Sequence, residues 1–317
     1  DVGNTIGGVN ASGTITALTS ATLALSQLQA NGTALATVTH AAAGTGLTIA
    51  LTGGILADDI VVNDVATTTG ITVTGAMNTG TDTLLIDADA STAGTLAISI
   101  GGVTEYATSS INVTGAAAAG TTQSITGGVG IDTIFFETAD TLTSADTVVG
   151  GTGVDVLKLV SAGAIVDADF TNVSTTETVS LGADTDLTIG PLGTAAGVTL
   201  VNVYASTTGA IAIDASTFTN ALTITATNGG TSAVTITGGT GIDTITGDAG
   251  AVNIITGGLG LDAITLPAAG SIDTIIMTTG GAIAVDTVAT FIVAIGEDEL
   301  QVDLSDINAL IGTLQLA

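Results

Sequence analysis

Hydrophobic and polar positions alternate in short bursts along the chain. Leu47-Thr48-Ile49-Ala50-Leu51, Ile71-Thr72-Val73-Thr74, Leu84-Leu85-Ile86 and Leu96-Ala97-Ile98-Ser99-Ile100 are such bursts, with glycines or Asn/Asp clusters between them. Alternation of period two, broken by turn residues, predicts short half-buried strands. The rhythm persists in Val198-Thr199-Leu200-Val201-Asn202-Val203, Ile211-Ala212-Ile213, Leu222-Thr223-Ile224-Thr225 and Val234-Thr235-Ile236-Thr237. These intervals suit the rungs of a right-handed β-solenoid, one strand per turn face, with aliphatic residues inward at every second position. One segment departs from the rhythm: Thr19 to Ala30, TSATLALSQLQA, reads as a short helix.

The run Ala116 to Ala119, followed by Gly120, is a low-complexity joint. It divides a β-rich region, residues 1–120, from a β-solenoid over residues 121–317. The first region reads either as a separate, sandwich-like β-domain or as a degenerate continuation of the solenoid. The expected fold class is all-β, a parallel β-solenoid or β-roll with an N-terminal β-rich region.

Four octamers fit G-G-x-G-x-D-x-U, where U is a large aliphatic. They are Gly127-Gly128-Val129-Gly130-Ile131-Asp132-Thr133-Ile134, Gly150-Gly151-Thr152-Gly153-Val154-Asp155-Val156-Leu157, Gly238-Gly239-Thr240-Gly241-Ile242-Asp243-Thr244-Ile245 and Gly257-Gly258-Leu259-Gly260-Leu261-Asp262-Ala263-Ile264. Glycines let such a turn take positive φ and aim its carbonyls at one point. The aspartate adds charge, so carboxylate and carbonyl oxygens together form a donor set for a hard cation, Ca²⁺. Asp146 stands nine residues before Asp155, one repeat earlier, without the glycines. Asp243 and Asp262, 19 residues apart, are expected to share an edge of the fold, whereas Asp132 and Asp155, 23 apart, require an intervening bulge or loop. The segment Gly247 to Ile255 is a worn copy with Thr256 as an extra residue and Val252 in the aspartate's place, so no full cation site is expected there. Alternatively, the octamers are tight turns capped by aspartate, with no metal.

Composition narrows the chemistry. Of 317 residues 45% are hydrophobic but only 2% aromatic, which suits thin aliphatic layers. The net charge is −28, with 29 acidic residues and one basic side chain, Lys158. Nothing here neutralises phosphates, so nucleic acid and anionic membrane surfaces are excluded as partners. Such acidity self-repels, and bound divalent cations relieve it. There is no cysteine, which rules out disulfides and thiolate metal sites. His40 is the sole histidine, leaving zinc and triad chemistry almost without ligands or bases. No run of eighteen apolar residues is present, so no membrane-spanning helix is expected. No signal peptide is legible, and a start at Asp1 suits a processed chain or a piece of a longer one.

On the four octamers the chain resembles the RTX family of calcium-dependent, type I-secreted bacterial proteins, whose nonapeptides build a β-roll. Its closing stretch, Asp286-Thr287-Val288-Ala289-Thr290-Phe291, Gly296-Glu297-Asp298-Glu299-Leu300 and Val302-Asp303-Leu304-Ser305, resembles the segment that follows RTX repeats. The repeats here are interrupted, with about eighty residues between the two clusters. In this the chain looks most like the surface-layer proteins of Gram-negative bacteria. The resemblance implies an extracellular structural protein, no enzyme, that self-assembles with Ca²⁺ into a layer or filament. Its expected partners are calcium ions and further copies of itself, with a cell-surface polysaccharide as another candidate.

Other chemistry finds less support. H-E-x-x-H and G-x-S-x-G are absent. The pairs Asp58-Asp59 and Glu297-Asp298 lack the aromatic platforms and cationic groups of a glycosidase site, and Asp58-Asp59 reads as a solvated turn. Flat hydroxyl arrays for ice or another surface would draw on Thr72/Thr74, Thr223/Thr225, Thr235/Thr237 and Thr244/Thr246, whose spacings are irregular. A fragment of a large RTX adhesin, or the calcium-binding tail of a secreted enzyme, would share the repeats and the acidity. Asn10, Asn31, Asn112 and Asn172 head N-x-S/T triplets compatible with surface glycosylation.

Overall fold

The computed structural model describes residues 4–7, 14–18, 22–26, 36–40, 47–51, 60–64, 70–76, 83–88, 95–104, 110–116, 120–136, 142–160, 163–182, 184–205, 209–226, 233–267, 272–277, 286–289 and 298–302. The chain forms a parallel β-solenoid, nearly all β, and every strand pairing among the described residues is parallel. It divides into two compact units, Asp1–Ser161 with Ala168–Val179, and Ala162–Asp167 with Ser180–Ala317.

In the first unit alternate strands feed two ladders. One stacks Asn4–Gly7, Thr22–Ser26, Leu47–Leu51, Gly70–Ala76, Thr95–Thr104, Thr122–Thr126, Thr147–Val149 and Val173–Ser174. The other stacks Thr14–Leu18, Ala36–His40, Ile60–Asp64, Thr83–Asp87, Ser110–Thr114, Thr133–Phe136 and Val156–Leu159. Strands described within residues 1–120 thus stack in the same two ladders as those at 122–126 and 133–136. The helix expected at 19–30 is replaced by the strand Thr22–Ser26, paired on both sides with Asn4–Gly7 and Leu47–Leu51. Within it the pattern Leu23-Ala24-Leu25 has period two, and two parallel neighbours outweigh the weak helical propensity of so short a segment.

The register explains the aliphatic composition. Ile71, Ile98, Ile125, Val148 and Val173 are successive Cα partners, and all are buried. In the second ladder Ile86, Val113, Ile134 and Leu157 form a buried file in the same way. Side chains of one shape stacked rung over rung fill a narrow interior, and Phe136, Phe170 and Phe218 are the buried rings among the described residues of the chain. Outward neighbours such as Thr72, Ser99 and Thr126 form polar files between them.

The second unit repeats the plan. One ladder runs through Ala164–Ile165, Asp186–Thr188, Ile211–Asp214, Val234–Thr237, Asn253–Thr256, Thr274–Met277 and Glu299–Val302. The other runs through Leu200–Ala205, Thr223–Thr225, Thr244–Thr246, Ala263–Thr265 and Thr287–Ala289. Their inward files are Leu187, Ile213, Ile236, Ile255 and Ile275, and Val201, Ile224, Ile245 and Ile264. The one α-helix among the described residues, Pro191–Ala196, opens with proline and ends at Gly197, φ 99°. Asp167 caps it from a distance, its carboxylate accepting from the backbone N–H groups of Gly190, Leu192 and Gly193.

Candidate metal centre

The octamers form turns that lead from one ladder to the other within a rung. Their aspartates point inward and are buried: Asp132 and Asp243 are 0% exposed, Asp155 2% and Asp262 1%. In the first copy of each pair, both carboxylate oxygens accept backbone N–H groups. Asp132 Oδ2 takes the Gly128 N–H at 2.7 Å and Oδ1 takes the Ile111 N–H at 3.2 Å, on the preceding rung. Asp243 repeats this with Gly239 at 2.6 Å and Leu222 at 2.8 Å. Each side chain therefore closes its own turn and ties it to the rung before.

The aspartates are also stacked. The Asp132 N–H donates to Asp155 Oδ1 at 2.8 Å, and the Asp243 N–H donates to Asp262 Oδ1 at 2.8 Å. Both pairs share an edge, although their separations in sequence differ. The extra residues of the first pair fall between Asp132 and Asp146, leaving the stacked turns unchanged. Each file continues by one more acid: the Asp155 N–H donates to Glu177 Oε2 at 2.8 Å, and the Asp262 N–H to Asp286 Oδ1 at 3.0 Å.

The glycines serve the same stacking. A Cβ at Gly127 would overlap the carbonyl oxygen of Gly150 on the next rung, and one at Gly238 would overlap that of Gly257. Backbone passes directly over backbone, which only glycine permits. The turns even pair as strands, Val129–Gly130 against Thr152–Gly153.

The second copies differ in one detail. Gly151 and Gly258 adopt φ of 121° and 100°, whereas Gly128 and Gly239, which donate to Asp132 and Asp243, are not among the positive-φ glycines. The Gly151 N–H donates to Thr175 Oγ1 at 2.9 Å. Asp155 Oδ2 and Asp262 Oδ2 are left buried without a hydrogen-bond partner. Burial pushes the Asp155 carboxyl up to about 6, with the charges of Asp132 and Glu177 adding to the rise against the Asp132 N–H. Burial likewise pushes Asp262 up to about 6, with Asp286 and Asp243 adding. Asp132 and Asp243 are also raised by burial, opposed by their two N–H donors.

Asp146 lies on the opposite edge of its rung. It precedes Thr147–Val149, a strand of the other ladder, and accepts from Gln123 N–H at 2.7 Å through Oδ1 and from Thr143 through Oδ2. It therefore does not join the file of Asp132 and Asp155. In the second unit the worn copy is capped by Asn253, not at Val252, which faces solvent. Asn253 Oδ1 accepts the Asp248 N–H at 2.8 Å, and the Asn253 N–H donates to Asp273 Oδ1 at 2.8 Å. The Asp273 N–H in turn reaches Asp298 Oδ1 at 3.3 Å.

A buried carboxylate oxygen without a donor calls for a proton or a cation. The carboxylates of Glu177 and Asp286 beside Asp155 and Asp262 deepen that need and offer further oxygen donors. This all-oxygen donor set suits Ca²⁺. Among the described residues no three His, Cys, Asp or Glu side chains cluster as a metal site, so backbone carbonyls would supply the remaining ligands. Asp132 and Asp243, with both oxygens on N–H groups, act as turn caps. Glu177 has no glycines before it, and Asp286 keeps only Gly281 of the three octamer glycines, with Ala282 and Ala284 in place of the others. Their signal is the acid-Thr-aliphatic triplet that they share with Asp132, Asp146, Asp243 and Asp273.

The remaining candidates are dispersed. Thr223 and Thr225 align with Thr244 and Thr246, and Thr265 extends the second file. The register thus absorbs the irregular spacing, but Thr235 lies beside Ile254 in the other ladder and Thr72/Thr74 belongs to the first unit, so the hydroxyl files are short. His40 ends the strand Ala36–His40, with Asp64 as its Cα partner. Asn172 is exposed, and its Nδ2 donates to the Ser144 carbonyl at 3.0 Å. Asp58, Asp59, Glu297, Asn10 and Asn31 lie outside the described residues. No protein-family model, curated protein or solved structure matches the chain.

Proposed function

We propose that the chain is an extracellular structural protein of the RTX kind, a calcium-stapled β-solenoid that self-assembles into a surface layer or filament. The observation that carries this reading is the recurrence of one arrangement in both units. A buried, unpartnered aspartate oxygen, Asp155 Oδ2 or Asp262 Oδ2, sits beside the carboxylate of the next rung, Glu177 or Asp286. Bound Ca²⁺ would supply the positive charge that these stacked carboxylates lack. The chain's own residues do the rest. Asp132 and Asp243 lock the preceding turn, the glycines bring successive turns into contact, and the aliphatic files hold the rungs in register. The acidic side chains most regularly placed in the fold are spent on rung-to-rung bonding, which suits a scaffold and assigns no catalytic step.

The test is chelation of the full chain. EGTA should loosen or unfold the protein and disperse its assemblies, and added Ca²⁺ should restore both. Circular dichroism and particle size that ignore EGTA would remove calcium from the account.

A further inference from the structure

The residue before four caps of the second unit, Asp243, Asn253, Asp262 and Asp273, is a large aliphatic that faces water. On one edge these are Ile242, 62% exposed, and Leu261, 56%, joined by Leu259 at 42%. On the other edge they are Val252, 43%, and Ile272, 49%. The cap bonds fix their order: Asp243 to Asp262 places Ile242 and Leu261 on adjacent rungs, and Asn253 to Asp273 does so for Val252 and Ile272. The two sets lie on opposite edges, because one belongs to the turns into the Thr244–Thr246 ladder and the other to the turns out of it.

We propose that these two aliphatic edges are the lateral contacts between copies of this chain; the inference rests on the assembly reading above. Three features favour a second copy as the occupant. The acidic residues between Gly238 and Asp262, namely Asp243, Asp248 and Asp262, are all buried, so these turns expose no carboxylate in a molecule of net charge −28. Two such chains meet there without facing carboxylates, as they would at the turns of the first unit, where Asp132 and Asp155 are buried and Ile131 and Val154 exposed. The side chains recur at the rung spacing of about 4.8 Å, and another copy's edge carries the same period. Each stripe of two or three half-exposed side chains is far smaller than the about 800 Å² per partner that a stable dimer takes. Weak contacts on two opposite edges instead let each copy hold two neighbours, so association propagates in register and does not close as a pair.

The experiment uses the full chain in Ca²⁺, followed by sedimentation velocity and electron microscopy. Ile242→Ser with Leu261→Ser blocks one edge, and Val252→Ser with Ile272→Ser blocks the other. Each double variant should lose extended arrays and sediment as one or two copies, and the four-site variant as single copies. Unchanged circular dichroism verifies the fold; Thr replacements, closer in shape, serve if a Ser variant unfolds. Wild-type protein that forms arrays while both folded variants form the same arrays overturns the edge assignment and leaves the assembly reading standing. Wild-type protein that stays monomeric overturns both. Edges that bind phosphatidylcholine vesicles, with array formation indifferent to the substitutions, assign the stripes to lipid and overturn the proposal.

Discussion

Asp132 and Asp155 hold the same position in their turns, yet the same substitution should lower stability at the first and not at the second. Asp132→Asn turns an amide NH₂ towards one of two backbone N–H groups and leaves a buried donor unsatisfied, at a cost of about 1–3 kcal/mol. Asp155→Asn keeps the oxygen that accepts from Asp132 and removes a buried charge. Urea unfolding in EGTA at pH 7 should show Asp132→Asn weaker than wild type and Asp155→Asn equal or stronger, with the added stabilisation by Ca²⁺ lost in the latter. The pH dependence follows from the same groups. Asp155 and Asp262 titrate from 3.8 unfolded to about 6 folded, so the folded state binds more protons between these values. Their contribution is fully present below pH 3.8 and is lost as pH rises through 6. Thermal scans in EGTA should therefore give a Tm from these groups that falls between pH 4 and 7. Ca²⁺ should flatten or reverse that slope, since it favours the ionised carboxylates. A Tm in EGTA that climbs through this window would contradict the burial of the two side chains.

At the scale of the turn, glycine acts through close approach more than through φ. Gly120 has φ 81° with open space around its Cα, whereas Gly127 faces the Gly150 carbonyl. Gly120→Ala should cost about 1–2 kcal/mol for the left-handed backbone. Gly127→Ala must push neighbouring rungs apart and should cost about 3 kcal/mol or more. Equal midpoints for the two variants in chemical denaturation would refute stacking as the reason for the first glycine of the repeat. The strands at 47–51, 70–76 and 95–104 were legible because their period-two alternation is locally complete. The segment 19–30 misleads because its leucines also fit a helical face, and the parallel neighbours that decide the matter are distant in sequence. Asn253 hides for another reason: its turn carries one extra residue, so aligning the glycines points to Val252. The short helix Pro191–Ala196 depends on Asp167, a cap that lies more than twenty residues away.

Across the whole molecule, the aspartate stacks were legible in outline from the G-G-x-G-x-D spacing, and the pairing of Asp243 with Asp262 followed from their separation. What the spacing hides is the difference between copies, because all four octamers carry the same glycines and aspartate while only Asp132 and Asp243 receive the second N–H. Glu177 completes its file with no glycine before it, and Asp286 completes the other with only Gly281 left of the octamer glycines, so their register on the ladder is what reveals them. The same ladder carries the chain's single basic residue. Lys158 lies in the strand Val156–Leu159, with its ammonium 4.8 Å from the Phe135 ring on the neighbouring strand. A protease that cuts after lysine or arginine therefore has one bond to attack in 317 residues, and that bond is held within a parallel ladder. Trypsin should leave the calcium-loaded protein whole and, when EGTA opens those rungs, split it once into residues 1–158 and 159–317. The appearance of those two bands makes Lys158 a built-in reporter of local opening, readable on a gel without a label.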